Sequence, residues 1–279
     1  MRQVVLFRES FMREFGDEIA AIKGAGFHVI HRLADISRND YIIPRFFWMP
    51  FVKEVYEEIG LHGGESCQTP AHHGYLADIG VWYPDMMGVT PESWPSVLEI
   101  PSKEEGPFVV KGHTNSLRHL WRTHMHAPTR ADLGRVISNL QNDTSMWSQR
   151  PWIRKYEDLR ILTTDVVGRP IPDEYRVFVF DGQLVSQGFY WTNMLEGLER
   201  KPLGSVPEEF IRYVIERVGD SAMFWSADIA LREDGSPVLI ELNDGCMSGL
   251  NGYDPCKFWT QMAEITSGRL LRYTNPNPD

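Results

Sequence analysis

The sequence predicts an α/β unit followed by an α+β region, and three observations carry this reading. Up to about residue 92 the apolar segments alternate between strand and helix periodicity, as a βαβ opening does. Beyond that point strand pairs joined by Asp-Gly turns take over. The chain has 279 residues, 42% of them hydrophobic and 24% charged, which is enough apolar material for a substantial core and the ordinary balance of a globular protein.

Each element has a local reason. Residues 3–7 form a first strand, Phe11 to Lys23 has helical periodicity ended by Gly24 and Gly26, and Phe27 to His31 returns as a second strand. Asp40 to Phe47 reads as a third strand, Pro50 to Ile59 as a helix, and Gly63-Gly64-Glu65-Ser66 as a loop. Thr90 before Pro91 marks a boundary, because the residue preceding proline is pushed out of the helical region. Val97 to Ile100 and Phe108 to Lys111 read as strands, the second running into the loop Gly112 to Ser116. Thr129 caps a helix that runs through Leu140, with Asp132 in its first turn. Trp152 to Tyr156 is a strand, and Tyr175 to Phe180 and Leu184 to Tyr190 form a hairpin around Asp181-Gly182. A helix starts at Pro207 and is ended by Gly219, and the tail Asn275-Pro276-Asn277-Pro278 is expected to fray.

Charge and cysteine usage narrow the function classes. A formal net charge of −10 argues against an extended nucleic-acid footprint, although Arg118, Arg122, Arg150, Arg154 and Lys155 form a basic patch able to hold an anion. The apolar start is interrupted at once by Arg8 and Glu9, too early for a signal peptide or a membrane span. Cys67, Cys246 and Cys256 are odd in number and unpatterned, which fits a reducing compartment, so a cytoplasmic location is expected.

The chemistry-bearing feature is a hairpin near the C-terminus. Ser226 to Leu231 and Val238 to Asn243 flank the turn Glu233-Asp234-Gly235-Ser236, so Asp228 can face Glu241 and Asn243 on one side of a sheet. Oxygen donors in so small a protein ligand set suit Mg²⁺, which completes its octahedron with waters and substrate phosphates. Acidic residues turned to water on an ordinary hairpin give the same pattern equally often, so this hairpin alone decides nothing. The order of four elements is more specific. Lys111 ends a strand before a polar loop, where an ammonium can neutralise phosphate. The strand Trp152 to Leu159 follows, then Asp173 to Gly182 with Glu174 and Arg176 at the start of a hairpin, then the Asp228, Glu241 and Asn243 hairpin.

In this order the segments resemble the ATP-grasp superfamily, nearest its RimK-like peptide and amino-acid ligases, over roughly residues 95–260. The resemblance implies an α/β pre-ATP-grasp domain over residues 1–92, then an α+β ATP-grasp fold whose subdomains, 93–160 and 161–279, clamp ATP between them. It makes Lys111 the strand-end lysine on the phosphates. Lys155 and Glu157 become the hinge residues whose backbone meets adenine, with Ile153 and Tyr156 flanking the base. Glu174 becomes the ribose-binding acid, Arg176 the arginine guiding the terminal phosphate or acyl-phosphate, and Asp228, Glu241 and Asn243 the Mg²⁺ ligands. Lys111 and Arg176 are then the catalytic pair. The implied reaction joins a carboxylate to an amine or related nucleophile through an acylphosphate, with ATP and Mg²⁺ as cofactors and small molecules or peptides as substrates. Nucleic acid and membrane are not expected as partners. Segments Gly188 to Trp191 and Asp244 to Gly252 follow the catalytic strands and are the substrate-pocket candidates.

Two departures leave alternatives open. No second phosphate lysine stands in Gly74 to Gly80, with Arg118, Arg122 or Arg154 as substitutes, and Ser226 occupies the position two before the first metal aspartate where many members carry arginine. A nucleotide-binding module without turnover, or a phosphotransferase, answers to the same motifs. Blander readings also exist for single residues. Lys111 alone is a solvated strand-end lysine and Arg176 a surface partner of Glu174. His113, His119, His124 and His126 are zinc-like in number but lack a matching Cys or Glu set. Cys246 reads as a pocket-lining residue rather than a nucleophile, and Arg45 as either a ligand contact or a packing residue.

Overall fold

The computed structural model describes residues 1–11, 13–46 and 51–274, so Phe47, Pro50 and the Asn275 to Pro278 tail lie outside the described residues. In β1 (Arg2–Phe7) the last four residues are all buried, because a central parallel strand is covered on both faces. Its alternation splits them between two cores: Val5 and Phe7 join Ile19 and Ile22 of α1 (Gly16–Gly24), and Val4 and Leu6 join Val55 and Ile59 of α2 (Val52–Leu61). With β2 (His28–Ile30), β3 (Asp40–Arg45) and β4 (Glu65–Ser66) it makes a parallel sheet in the order β2-β1-β3-β4. Two expectations are corrected here. The first helix begins at Gly16 rather than Phe11, since Phe11 and Phe15 turn their rings onto Phe46. Glu65 and Ser66 leave the expected loop to pair with Tyr41 and Ile42.

Arg45, ambiguous in the sequence, is a packing residue. It is fully buried, its Nε donates to Glu18 Oε1 at 2.7 Å, and its Nη1 donates to the carbonyls of Gly245 and Ser248 at 2.9 and 2.6 Å. Glu18 also accepts from Trp259 Nε1 at 3.2 Å. Glu18→Gln removes the only carboxylate from this group and strands a buried guanidinium, so unfolding stability should fall by about 3–5 kcal/mol in urea denaturation. A loss below about 1 kcal/mol would mean that the backbone carbonyls alone hold Arg45.

Thr69 caps α3 (Pro70–Ala77) by accepting from the His72 amide, and Asp78 caps α4 (Ile79–Met86) by accepting from Gly80. The buried residues of both helices, Tyr75, Leu76, Ile79, Trp82 and Met86, join a core with C-terminal residues such as Trp225 and Leu242, although they precede the expected boundary at residue 92. Next come β5 (Ser93–Trp94), β6 (Phe108–Gly112), β7 (His126–Ala127), α5 (Leu133–Asn142) and β8 (Pro151–Lys155), whose strands form an antiparallel sheet ordered β5-β8-β6-β7. Val97–Glu99 is a 3₁₀ turn and not a strand, because Ser96 accepts from the Leu98 amide and closes the turn locally. The Thr129 and Asp132 box forms as expected, with a 3₁₀ turn leading into α5.

The hairpin β9 (Ile161–Thr164) and β10 (Pro170–Pro172) precedes the third sheet. That sheet is antiparallel, in the order β12-β11-β13-β14, from β11 (Glu174–Phe180), β12 (Gln183–Phe189), β13 (Phe224–Leu231) and β14 (Pro237–Asp244). One of its faces buries Trp225, Ala227, Ile229 and Leu242 against α3, α4 and α6 (Glu208–Val218). On the other, Phe178, Phe180 and Phe224 meet Phe258, Trp259 and Met262 of α7 (Pro255–Thr274), and the same core continues into Val5, Phe7 and Phe27 of the first sheet. The β5–β8 sheet has a separate core with α5, built on Phe108, Val110, Val136 and Ile153. Among the described residues no helix is long and apolar enough to cross a membrane.

Candidate active site

Pairing of β13 with β14 places Asp228 opposite Glu241 and Ser226 opposite Asn243, so the three expected ligands do share one face. Asn243 Nδ2 lies 3.5 Å from Asp228 Oδ2. Glu241 lines a cleft between the β5–β8 sheet and the third sheet, together with Lys111, Arg118, Arg154 and Glu174. Lys111 Nζ, from the end of β6, donates to Glu241 Oε1, and Arg118 Nη2 donates to Glu241 Oε2 at 3.3 Å. Arg176 grips Asp228 with both prongs, Nε to Oδ1 at 2.8 Å and Nη2 to Oδ2 at 2.9 Å. Arg176 therefore pairs with Asp228 and not with Glu174, which removes the surface-pair reading.

Burial and charge set the protonation states. Burial alone would raise the Glu241 carboxyl, but Lys111, Arg118 and Arg154 overrule it and hold it at about 2. Glu174, buried on β11, is pushed up to about 7 by burial first and by the charge of Asp228 second. Burial also pulls the Lys111 ammonium below the usual lysine range, partly offset by Glu241. Arg154 is almost fully buried with neutral partners only: Ile240 O and Thr90 Oγ1 at 2.6 Å and Ser93 Oγ at 3.1 Å. Burial brings it down to about 10, so it remains a cation at neutral pH.

The rest of the cleft lining is largely apolar and aromatic, with Trp121, Met125, Tyr156, Trp191 and Ile240 in its walls. Lys155 and Glu157 also line it. The amides of Lys155 and Tyr156 are taken by Glu92 O and Pro107 O, whereas the Glu157 amide has no partner among the described residues. Trp191 Nε1 is buried and equally unpartnered. The expectation for Ile153 is corrected: its side chain is 1% exposed and turned into the α5 core. Alternation along β8 gives the cleft side to Arg154 instead.

Arg118 and Arg154 thus supply charge at the cluster, while Arg122 lies against the backbone of Gly168 in the β9–β10 turn. The sequence offers Arg118 only as one of several candidates, because it sits in a short 3₁₀ turn, which carries no periodicity. The hydroxyl of Tyr190 accepts from Arg118 Nη1 at 2.6 Å, and its ring lies under Arg176 at 4.7 Å, so the segment Gly188 to Trp191 does border the cluster. Of the four histidines, His113 accepts from the Arg150 amide and His126 stacks on Trp121. Among the described residues no group of three or more His, Cys, Asp or Glu is arranged to hold a metal ion. Two carboxylates and one amide on a common face fit a hard divalent cation that takes its remaining ligands from water and phosphate.

The fold and this charged cleft define an ATP-grasp protein. Residues 98–262 match the family model for the ATP-grasp domain of R2K clade family 3, and the chain belongs to that family. The search of curated proteins gave no match. Among solved structures, D-cycloserine synthetase DcsG is similar at 13% identity, covering 94% of this chain and 99% of that one with a TM-score of 0.59. ATP-grasp ligase PsnB, solved with precursor peptide PsnA2 and AMPPNP, is similar at 12% identity over 97% and 98% of the two chains, with a TM-score of 0.60. A RimK domain ATP-grasp protein from Sphaerobacter thermophilus gives 11%, 95% and 99%, and 0.57. Likeness at such identities shows a shared fold.

Proposed function

We propose that the protein is an ATP- and Mg²⁺-dependent ligase that joins a carboxylate to an amine or related nucleophile, with amino acids or peptides as substrates. The carrying observation is the pairing of Asp228 and Glu241 with Lys111, Arg118 and Arg176 beside an aromatic-lined cleft. Adenine suits the apolar part of that lining, where the Glu157 amide and Trp191 Nε1 offer unused donors. Lys111 and Arg118 turn from Glu241 to the phosphates, and Arg176 orients Asp228 while reaching the terminal phosphate. Asp228, Glu241 and Asn243 hold Mg²⁺, which when bound spreads the charge of the transferring phosphoryl group. The substrate carboxylate attacks the terminal phosphorus, ADP leaves, and the nucleophile then displaces phosphate from the acylphosphate. Arg118 restores the cation count that the absent second lysine lowers, which favours turnover over a silent binding module. The names of the similar structures, a D-cycloserine synthetase and a ligase bound to a precursor peptide, agree with amino-acid or peptide chemistry.

Incubation with ATP, Mg²⁺ and a pool of amino acids should release ADP and phosphate together with a coupled product. Nucleotide binding with no ADP release would overturn the reading in favour of a regulatory module. Lys111→Ala should weaken ATP binding and slow turnover, each by roughly tenfold or more, since an ammonium beside phosphate acts on ground and transition states alike. Titration calorimetry and steady-state rates measure the two effects, and unchanged values for both would remove Lys111 from the site.

A further inference from the structure

Behind Glu241 lies a second, polar cavity, which His73, Lys111, His113, Thr114 and Asn243 help to line. It shares Lys111 and Glu241 with the aromatic cleft, so a molecule bound there faces the phosphate end of that cleft. One wall carries a built pair. His73 of α3 and Asp244, the last residue of β14, approach to 2.8 Å between Nδ1 and Oδ2. The Asp244 side chain is 4% exposed, and its other oxygen accepts from the Cys246 amide at 2.8 Å and from Gln68 Nε2 at 3.2 Å. Gln68 is itself buried and fixed, donating to Phe224 O at 2.7 Å and accepting from the amides of Met223 and Phe224.

A carboxylate held this way only accepts, so the proton of the neutral imidazole sits on Nδ1 and the lone pair on Nε2. Nε2 has no partner among the described residues, and the His73 side chain, 16% exposed, is among the residues that line the cavity. An imidazole whose tautomer is set by a buried acid, whose second nitrogen is free and which lines a ligand cavity is the arrangement of a general base.

We propose that His73, positioned by Asp244, is the base that deprotonates the incoming amine, and that the polar cavity is the nucleophile's site. This rests on the ligase reading above. The ammonium nitrogen of the nucleophile gives one proton to His73 Nε2, and the freed lone pair attacks the acyl carbon. The C–N bond forms as the C–O bond to phosphate breaks, and phosphate leaves with that electron pair and the second nitrogen proton.

Hydroxylamine tests this, because it is largely uncharged at neutral pH and attacks acylphosphates without a base. With ATP, Mg²⁺ and a pool of the standard amino acids, dipeptide and hydroxamate are measured in parallel with and without hydroxylamine. Asn at position 73 reproduces the Nδ1–H donor to Asp244 and has nothing at Nε2. For His73→Asn the ratio of dipeptide to hydroxamate should fall about 10²-fold, in line with the contribution of a positioned base. Asp244→Asn, which offers an amide hydrogen to Nδ1 and favours the wrong tautomer, should move the ratio the same way. A ratio at the wild-type value, whether both products fall or neither does, would give His73 a merely structural role. Absence of ADP from the wild-type protein with either nucleophile would overturn the ligase reading itself.

Discussion

Glu241→Gln is expected to lower ATP-dependent turnover at least about 10³-fold, with Asp228→Asn close behind, because each change withdraws a carboxylate proposed to hold Mg²⁺, worth several kcal/mol at the transition state. The substitutions differ in what they strand. Glutamine at 241 leaves Lys111, 6% exposed, without its carboxylate and beside the like charge of Arg118. Asparagine at 228 leaves Arg176 gripping a neutral amide. Some stability is therefore lost in both, and turnover should be read well below the melting transition. Fluorescence of Trp121 and Trp191, which line the cleft, reports whether nucleotide still binds. Near-normal rates in both variants would remove Asp228 and Glu241 from the metal site.

Arg176→Lys should fail as a conservative change. The guanidinium spans both oxygens of an aspartate that is 0% exposed, a geometry that a single ammonium cannot reproduce. The lysine variant keeps a charge near Asp228, so it should fold nearly as well as wild type yet turn over about 10²-fold more slowly, the scale seen when a preorganised donor is removed. Arg176→Ala should lose comparable turnover and also about 3–5 kcal/mol of stability, because it abandons a buried carboxylate. Kinetics at saturating ATP together with urea denaturation separate the two effects. Full turnover in the lysine variant would leave Arg176 only the task of neutralising Asp228.

What could be read from the sequence was whatever rests on short-range geometry. The Asp234-Gly235 turn and strand alternation were enough to pair Asp228 with Glu241, and the observed register agrees. Lys111 was legible through its place at a strand end. Ile153 was misjudged by one residue of alternation, the difference between a core side chain and a cleft side chain on β8. Val97 to Ile100 has strand-like composition, but the Ser96 hydroxyl closes it into a turn. The long helix α7 and the helices α3 and α4 are not legible in the sequence, since their apolar residues serve cores assembled from distant strands. His73 was illegible in principle, because its meaning comes from Asp244, 171 residues away.

The single core that runs from β1 and α1 through β11 and β13 to α7 joins the first sheet to the third. The first sheet is bolted to the third by Arg45 and Gln68, whose bonds cross to Gly245, Ser248, Phe224 and Asp244, and together they form an anvil. The β5–β8 unit keeps its own core and meets the anvil through polar contacts, Lys111 and Arg118 reaching Asp228 and Glu241 while Arg154 Nη1 donates to Ile240 O at 2.6 Å. The bond at residue 92, natural as it looks on paper, is accordingly a poor place to cut the chain: the excised piece would bare half of a hydrophobic interior that the remainder also needs.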